Sequence, residues 1–432
     1  MFSINLKPYE KYKDSGIEWI KKIPKHWNAI KIKHIFKERS QKGYPNEPLL
    51  AATQTKGVVP KEMYENRTVI ATNDLQNLKL VEKGDFVISL RSFQGGIEIA
   101  HYRGIISPAY TVMIPTNMVH GGYFKFLFKS KGLIENLNVY VTGIRQGQNI
   151  DYPKFRSSLM PLPSIDEQKI IADYLNRKNQ QADIFIEKQT RLIELLKEQK
   201  KAIINQAVTK GLNPDAPMKD SGIEWLGEIP SHWEVKKLKY ISRIVLGKML
   251  CSNNLGGMYY KHYLKSKNIG WINVIVEQVD KMWFSSHELN LYKIQKGDLL
   301  LSEGGEVGKT CIWKNEIEEC YIQNSVHKVS IINGNYNKFY LHFLYSIGHK
   351  GVFSAIVNQV SIAHLTKEKL KEVACVVPPK SEQQQIVSYI ESKTAKIDQA
   401  IEKSEKEITL VKEYLQSLIY HVVTGQVKID QK

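Results

Sequence analysis

Apolar residues recur at alternating intervals of four and three positions in two long stretches of the chain. The second stretch carries this stripe at Ile397, Ile401, Ser404, Ile408, Val411, Leu415, Leu418 and Val422. The first carries it at Ala182, Ile186, Gln189, Ile193, Leu196, Ile203 and Ala207, and Phe185 and Leu192 widen it. This spacing is typical of coiled-coil helices. It predicts two long helices whose stripes pack against each other in an antiparallel pair.

Proline and glycine mark the ends of both predicted helices. Pro163 precedes the first helix and Pro378 precedes the second, as is common where helices begin. Neither proline nor glycine interrupts residues 166–208. Gly211 and Gly425 follow the two stretches, and glycine often ends a helix because it adopts the left-handed conformation easily.

The segments outside the helices have the pattern of mixed globular domains. Turns followed by buried strands are predicted at 83–90 and 296–302, further strands at 110–114 and 326–332, and aromatic-rich amphipathic helices at 123–137 and 339–356. The predicted fold class is therefore α+β. The predicted division is a globular domain at 1–163, a helix at 164–211, a second globular domain at 212–378 and a second helix at 379–432.

The chain contains an internal repeat. Residues 13–19, KDSGIEW, return unchanged as residues 219–225, and eleven of the fifteen positions from 13 to 27 are identical at this offset of 206. A second pair of similar segments, 167–175 and 382–390, closes each half at an offset of 215. A period of this length indicates two domain-sized copies, so we expect a pseudo-two-fold repeat.

The net charge is strongly positive, with 61 Lys and Arg against 44 Asp and Glu, or +17. The helical segment 166–210 has nine basic and seven acidic residues, and 381–425 has five basic and seven acidic residues. These contributions of +2 and −2 cancel, so the excess lies outside the helices. Such a field suits a polyanion such as nucleic acid. The alternative is that the charge only keeps the protein soluble.

Signatures of catalysis are incomplete. Residues 304–310, GGEVGKT, resemble a phosphate-binding loop but are one residue short of it, so we expect a loop of the second domain. The chain has no Asn/Asp-Pro-Pro-Tyr/Phe motif and no glycine-rich loop for S-adenosylmethionine. His26 and His232 have no partner at metal or triad spacing and are expected to pack beside Trp27 and Trp233. We therefore predict no catalytic and no metal-binding residues.

The four cysteines form no metal-binding pattern, and we expect them to be reduced and packed as small apolar residues. They are Cys251, Cys311, Cys320 and Cys375. Residues 1–5 lack the pattern of a signal peptide, and no apolar run is long enough to span a membrane. The expected location is the cytoplasm.

The repeated phrases resemble those of one protein family. DSGIEW followed by IPxHW, and a proline-rich step into EQxxI before a long helix, are similar to the specificity subunit of type I restriction-modification enzymes. The resemblance covers nearly the whole chain. It implies two target recognition domains that each bind half of a split double-stranded DNA sequence, with the two helices as a spacer.

The resemblance also implies partners for the chain. Two methyltransferase (modification) subunits would dock on it, and restriction subunits with translocase and nuclease activity would join them. The chain itself would be non-catalytic and bind no cofactor. S-adenosylmethionine, ATP and Mg²⁺ would be used by the partners, which methylate adenine N6.

Candidate DNA-binding residues are polar side chains in loops that follow predicted strands. In the first half they are Arg91, Ser92, Gln94, Arg145, Gln146, Gln148 and Asn149. In the second half they are Ser302, Glu303, Glu306, Lys309, Gln359, Ser361 and His364. Arg, Gln and Asn can form paired hydrogen bonds with base edges, although phosphate and solvent contacts are more common. Because the two sets differ, two different half-sites are expected.

Three other functions remain open from the sequence. The chain could be a nuclease or methylase that acts unaided, through a catalytic cluster that its motifs do not reveal. It could be a coiled-coil adaptor whose basic surface binds RNA or another protein. It could also be the specificity subunit of a system that has a methylase but no restriction subunits.

Overall fold

The computed structural model describes residues 6–64, 74–142, 149–357 and 364–429. The chain folds into two compact units. Unit 1 comprises residues 1–190 and 405–432, and unit 2 comprises residues 191–404. Each unit is therefore built from a globular part and segments of two long helices. The division of the chain into four consecutive domains stays a prediction.

Unit 1 contains short strands and short helices ahead of the first long helix. Its strands are β1 (Tyr12–Ile17), β2 (Ile20–Pro24), β3 (Asn28–Lys31), β4 (Phe36–Arg39), β5 (Leu50–Thr53), β6 (Gly57–Pro60), β7 (Lys79–Val81), β8 (Phe86–Ile88), β9 (Glu98–Ile99), β10 (Gly104–Ile106), β11 (Thr111–Pro115), β12 (Val141–Thr142), β13 (Asn149–Ile150) and β14 (Leu159–Leu162). Its helices are α1 (Ile32–Ile35), α2 (Ser92–Gly95), α3 (Gly121–Leu127), α4 (Lys131–Leu137), α5 (Tyr152–Phe155), the first part of α6 (Ile165–Lys210) and the last part of α11 (Lys380–Val423).

Unit 2 repeats this plan with fewer and longer strands. Its strands are β15 (Met218–Asp220), β16 (Glu228–Pro230), β17 (Glu234–Lys237), β18 (Ser242–Leu246), β19 (Tyr259–Leu264), β20 (Asp280–Phe284), β21 (Leu299–Ser302), β22 (Thr310–Ile312), β23 (Tyr321–Ile322), β24 (Val326–Ile331) and β25 (Ala374–Val377). Its helices are the last part of α6, α7 (Ser286–Tyr292), α8 (Asn337–His349), α9 (Val352–Ile356), α10 (Lys367–Lys371) and the first part of α11.

The four-stranded sheets show the internal repeat most directly. The order is β4-β11-β8-β9 in unit 1 and β18-β24-β21-β22 in unit 2, and every neighbouring pair is antiparallel. A hairpin opens each copy, as β1 with β2 and as β15 with β16. A strand pair joins the start and end of each globular part, as β3 with β14 and as β17 with β25. The predicted α+β pseudo-repeat is confirmed.

The predicted long helices are α6 and α11, and they pair in antiparallel fashion. In unit 1, Ala182 packs in one cluster with Val411 and Leu415. Further along α6, the Gln189 amide donates to Glu407 at 3.0 Å. Glu407 comes before Val411 in the sequence, so the two helices run in opposite directions. The stripe positions are buried or half-buried. Leu192 was expected to widen the stripe but is 43% exposed, which corrects that expectation.

Both aromatic-rich helices predicted in the globular parts are broken in two. The segment expected at 123–137 forms α3 and α4, separated at residues 128–130. The segment expected at 339–356 forms α8 and α9, and Gly351 between them has a φ of +77°. That left-handed conformation ends a helix and is easily adopted only by glycine. Periodicity alone therefore overestimated the length of these helices.

A tryptophan in each repeated phrase joins a globular part to a long helix. The Trp27 and Trp233 side chains are fully buried. Trp27 shares a core with Leu418, Val422 and Val423 of α11, all within unit 1. Trp233 shares a core in unit 2 with the last turns of α6. Burial of an indole is worth several kcal/mol, so these residues fix one end of a long helix to each domain.

Candidate nucleic-acid interface

In unit 1, the loop after β8 presents two of the predicted residues to solvent. Arg91 and Gln94 are exposed. Ser92 is only 1% exposed, and its Oγ accepts a hydrogen bond from the Ser89 backbone N–H at 2.8 Å. The Ser92 hydroxyl therefore shapes the turn and is not presented to a ligand in this conformation. Arg91 and Gln94 remain predictions as DNA contacts.

One residue of the second predicted cluster of unit 1, Asn149, lies in a strand that contacts the first cluster. Asn149 is half-buried in β13, which pairs with β12 in a short hairpin, and β13 contacts α2. The Asn149 Oδ1 accepts from the Ile150 backbone N–H at 2.9 Å. The fold thus brings β13 to α2, although the two elements are more than 50 residues apart in the sequence. Arg145, Gln146 and Gln148 lie outside the described residues.

A lysine that was not among the predicted residues joins loops near this cluster. The Lys129 ammonium donates to the backbone oxygens of Gly95 at 2.7 Å and Gln54 at 2.9 Å, and it forms an ion pair with Glu98. Glu98 is 4% exposed. Burial raises the pKa of the Glu98 carboxyl, and the charge of Lys129 opposes that shift. No local pattern in the sequence indicates these contacts, because the residues that Lys129 binds are remote from it along the chain.

In unit 2, the corresponding loop connects β21 to β22. Ser302 is 1% exposed. Its Oγ donates to the Glu306 backbone oxygen at 2.6 Å and accepts from the Lys309 backbone N–H at 3.1 Å. Like Ser92, Ser302 holds its loop in shape. Residues 304–309 form a loop that leads into strand β22 and not into a helix, as the sequence predicted.

Glu306 and Lys309 lie together at the surface of this loop. The Lys309 Nζ is 2.6 Å from Glu306 Oε2, and the Trp271 indole N–H donates to Glu306 Oε1 at 3.1 Å. These hydrogen bonds, that from Lys309 foremost, lower the pKa of the Glu306 carboxyl. The indole also lies against His349, with ring centroids 4.2 Å apart and the planes tilted by 46°. Trp271, which ties the loop to α8, was not among the predicted residues.

The other predicted pair of unit 2 is brought together as well. The Leu365 backbone N–H donates to the Glu303 backbone oxygen at 2.8 Å, so His364 lies next to Glu303. Burial raises the pKa of Glu303, and the charge of His364 acts in the opposite direction. His364 is exposed. Gln359 and Ser361 lie outside the described residues.

The two units therefore present different chemistry at the same place in the sheet. Between β8 and β9, unit 1 exposes a guanidinium and an amide, at Arg91 and Gln94. Between β21 and β22, unit 2 places a carboxylate beside an ammonium, at Glu306 and Lys309. The guanidinium and the ammonium can donate hydrogen bonds to base edges, the carboxylate can accept them, and the amide can do both. The two units share the order of the four-stranded sheet but differ in the groups exposed beside it.

Among the described residues, no group of His, Cys, Asp and Glu could hold a metal ion. Cys311, Cys320 and Cys375 are buried, as expected, whereas Cys251 is half-buried. Burial raises the pKa of the Cys320 thiol to about 12. In the part of the chain that the structure describes, no helix is both long and apolar enough to cross a membrane.

Comparisons with known proteins agree on one family. Residues 230–410 match the family model of the type I restriction modification DNA specificity domain. The chain is 25% identical, over 81% of its length and 80% of the relative, to the type I restriction enzyme MjaVIII specificity subunit of Methanocaldococcus jannaschii. The putative MjaX specificity subunit of the same organism is 25% identical over 95% of this chain and 96% of its own length.

The fold has been seen before in a solved structure of a type I R-M system, described as explaining its complex assembly and conformational transition. The TM-score is 0.72, and the match covers 94% of this chain and 99% of that chain at 13% identity. At this identity the likeness concerns the fold. The chain is thus similar in sequence to specificity subunits of type I restriction enzymes and, over residues 230–410, to their DNA specificity domain.

Proposed function

We propose that this chain is the DNA-reading subunit of a type I restriction-modification complex. Unit 1 binds one half of a bipartite target in double-stranded DNA, and unit 2 binds the other half. The net charge of +17 supports binding to a polyanion, because cationic side chains release the counterions condensed on DNA. Because the substrate is DNA, we place the complex in the cytoplasm.

One observation carries the proposal. The two units have the same four-stranded sheet order, yet the loops that follow β8 and β21 differ in length, conformation and charge. A duplicated frame with unlike loops suits two readers that recognise different sequences. Phosphate contacts position a protein on DNA, whereas contacts with base edges give specificity. The exposed loops are the parts of the frame that could differ without loss of the fold.

The chemistry is assigned to partner subunits. We propose that two methyltransferase subunits dock on the chain and transfer a methyl group from S-adenosylmethionine to adenine N6. Restriction subunits that use ATP and Mg²⁺ would join this core. The chain would bind none of these cofactors. The family resemblance and the incomplete methylase and phosphate-loop motifs support this division of labour.

The test is a reconstitution with DNA. The purified chain, alone and with methyltransferase subunits encoded beside it, is incubated with DNA, Mg²⁺ and S-adenosylmethionine, and the methylated adenines are mapped by sequencing. We expect no methylation by the chain alone and methylation at one bipartite motif by the complex. Methylation by the isolated chain would contradict the proposal, as would methylation by the complex without a bipartite motif.

A further inference from the structure

The turn between β5 and β6 packs directly against α2 in unit 1. A Cβ atom added to Gly95 would lie 2.7 Å from Gln54 Cγ and 2.8 Å from Gln54 Nε2. The Gln54 side chain therefore runs across the Gly95 backbone, in space that only glycine leaves free. Gln54 is exposed. Its amide is held beside the loop that presents Arg91 and Gln94.

The turn that carries Gln54 is well defined. The Thr53 Oγ1 donates to the Gly57 backbone oxygen at 2.9 Å and accepts from the Lys56 backbone N–H at 2.9 Å. Thr53 is buried while Gln54 and Lys56 are exposed. The hydroxyl of Thr53 thus closes the turn from inside. The side chain of Gln54 is left on the outer surface.

Lys129 fixes the distance between this turn and α2. Its ammonium binds the backbone oxygen of Gln54, the backbone oxygen of Gly95 and the carboxylate of Glu98. A buried ion pair adds little net stability, because the desolvation of both charges offsets their attraction. Its main consequence here is geometric, since one cation joins two backbone segments at a set separation.

We propose that Gln54 is a base-reading residue of unit 1 and that Lys129 is the positioning residue that holds it beside Arg91 and Gln94. This inference rests on the proposed function. The ligand is the major-groove edge of an adenine in the first half-site. The amide of a glutamine can donate an N–H to adenine N7 while its carbonyl oxygen accepts from adenine N6–H. A pre-positioned amide binds without the ordering cost of a free side chain.

Four variants of unit 1 test the assignment in the methyltransferase complex. Gln54→Ala removes the amide. Gly95→Ala displaces it, because the three atoms nearest to the added Cβ all belong to the Gln54 side chain. Lys129→Met removes the cation that binds Gln54, Gly95 and Glu98, and Lys129→Arg restores a cation. The control is Gln76→Ala, which truncates another exposed glutamine of the same unit. The readout is the set of methylated sequences and their relative rates.

We expect Gln54→Ala and Gly95→Ala to relax the preference at the same base pair of the first half-site, by about 10–100-fold. Lys129→Met should relax that base pair too, and Lys129→Arg should recover much of the preference. The second half-site and the Gln76→Ala variant should be unchanged.

Two results would overturn the assignment and leave the proposed function standing. One is an unchanged motif and rate in Gln54→Ala, which would make Gln54 a solvated turn residue. The other is an equal loss at every sequence, which would make it a phosphate contact. A wild-type complex that methylates no bipartite motif would refute the proposed function instead, and this inference with it.

Discussion

The imidazole Nε2 of His232 lies 2.8 Å from Oε2 of Glu382, and in unit 1 the equivalent atoms of His26 and Glu167 are 3.1 Å apart. These residues come from the two phrases that the sequence repeats. Each half therefore brings its opening phrase into contact with the start of the helix that closes it. The His232 ring lies beside Trp233 as expected, with centroids 6.4 Å apart, and the His26 ring lies 5.5 Å from that of Tyr9. Both imidazoles are about half exposed.

The glutamine that follows each glutamate is a buried link in the same structure. The Gln383 amide donates to Asn335 Oδ1 and to the Pro378 backbone oxygen, both at 2.9 Å, and accepts from the Tyr336 N–H at 2.8 Å. Gln168 makes the corresponding three bonds in unit 1. Each amide joins a domain loop to the first turn of a long helix. The His–Glu contact and these glutamine contacts therefore give the opening and closing phrases the same structural role in both halves.

We expect Gln383→Leu to destabilise unit 2 by about 2–4 kcal/mol, since it leaves buried polar groups without partners. Urea unfolding measures the change. The adjacent Gln384 is exposed, so Gln384→Leu is a matched control that should change stability by less than about 0.5 kcal/mol. Equal effects of the two substitutions would contradict the role given to Gln383.

Unit 2 should lose stability in mild acid because of His342. Burial lowers the pKa of His342 from 6.5 to about 4, and nearby Lys200 and Lys338 act in the same direction while Glu391 opposes them. As the pH falls below 6.5, the unfolded chain binds a proton that the folded chain rejects. Stability is therefore lost between pH 6.5 and pH 4, by about 3 kcal/mol.

Thermal unfolding across this pH range tests the assignment. His342→Leu should flatten the acid side of the stability profile, because the variant has no group to titrate there. His287 is exposed, and His287→Leu should keep the slope of the wild type. An unchanged slope in His342→Leu would assign the acid sensitivity to another group.

Binding of DNA by unit 1 should depend on Arg91 in a sequence-specific way. Arg91→Ala is expected to weaken binding to the cognate site by about 1–3 kcal/mol and to weaken binding to random DNA much less. Lys83→Ala removes one exposed charge elsewhere in the unit and serves as the control. Equal losses on both kinds of DNA, with a smaller salt dependence, would reduce Arg91 to a phosphate contact.

The long helices are expected to set the distance between the half-sites. Four residues inserted after Gln199 in α6 and four after Gln399 in α11 would lengthen both helices by ~6 Å. They would also rotate the helix beyond each insertion by about 40° more than one full turn. The Gln189–Glu407 and Lys200–Asp398 contacts would be retained.

The spacer between half-sites should then grow by about one to two base pairs, with the half-sites unchanged, as mapping of methylated adenines would reveal. An insertion in α6 alone is the control, and it should lower stability because it shifts one stripe against the other. An active double insertion with an unchanged spacer would mean that the helices do not measure the distance.

The frame could be predicted well from the sequence because it is encoded locally. The stripe from Ala182 to Ala207 and the glycines at 211 and 425 placed α6 and α11 to within a few residues of their observed ends. The buried strands at 86–88 and 299–302 were predicted from short apolar runs after a turn. Such patterns involve neighbours in the chain, so one sequence suffices to read them.

The candidate interface was predicted less well because its geometry depends on remote contacts. Ser92 and Ser302 lie near the ends of strands β8 and β21, but their hydroxyls turn inward and hold the loops. The contact of Lys129 with Gln54 spans 75 residues, and that of Trp271 with Glu306 spans 35. Contacts between residues this far apart leave no periodic pattern in the sequence from which they could be predicted.

The most direct test of two independent readers is an exchange of residues 30–155 with those of a relative that has a different target. Methylated adenines are then mapped in DNA treated with the hybrid complex. We expect the first half of the motif to change to that of the relative, while the second half and the spacer stay as in the parent. A motif altered in both halves would contradict the claim that each unit reads one half-site.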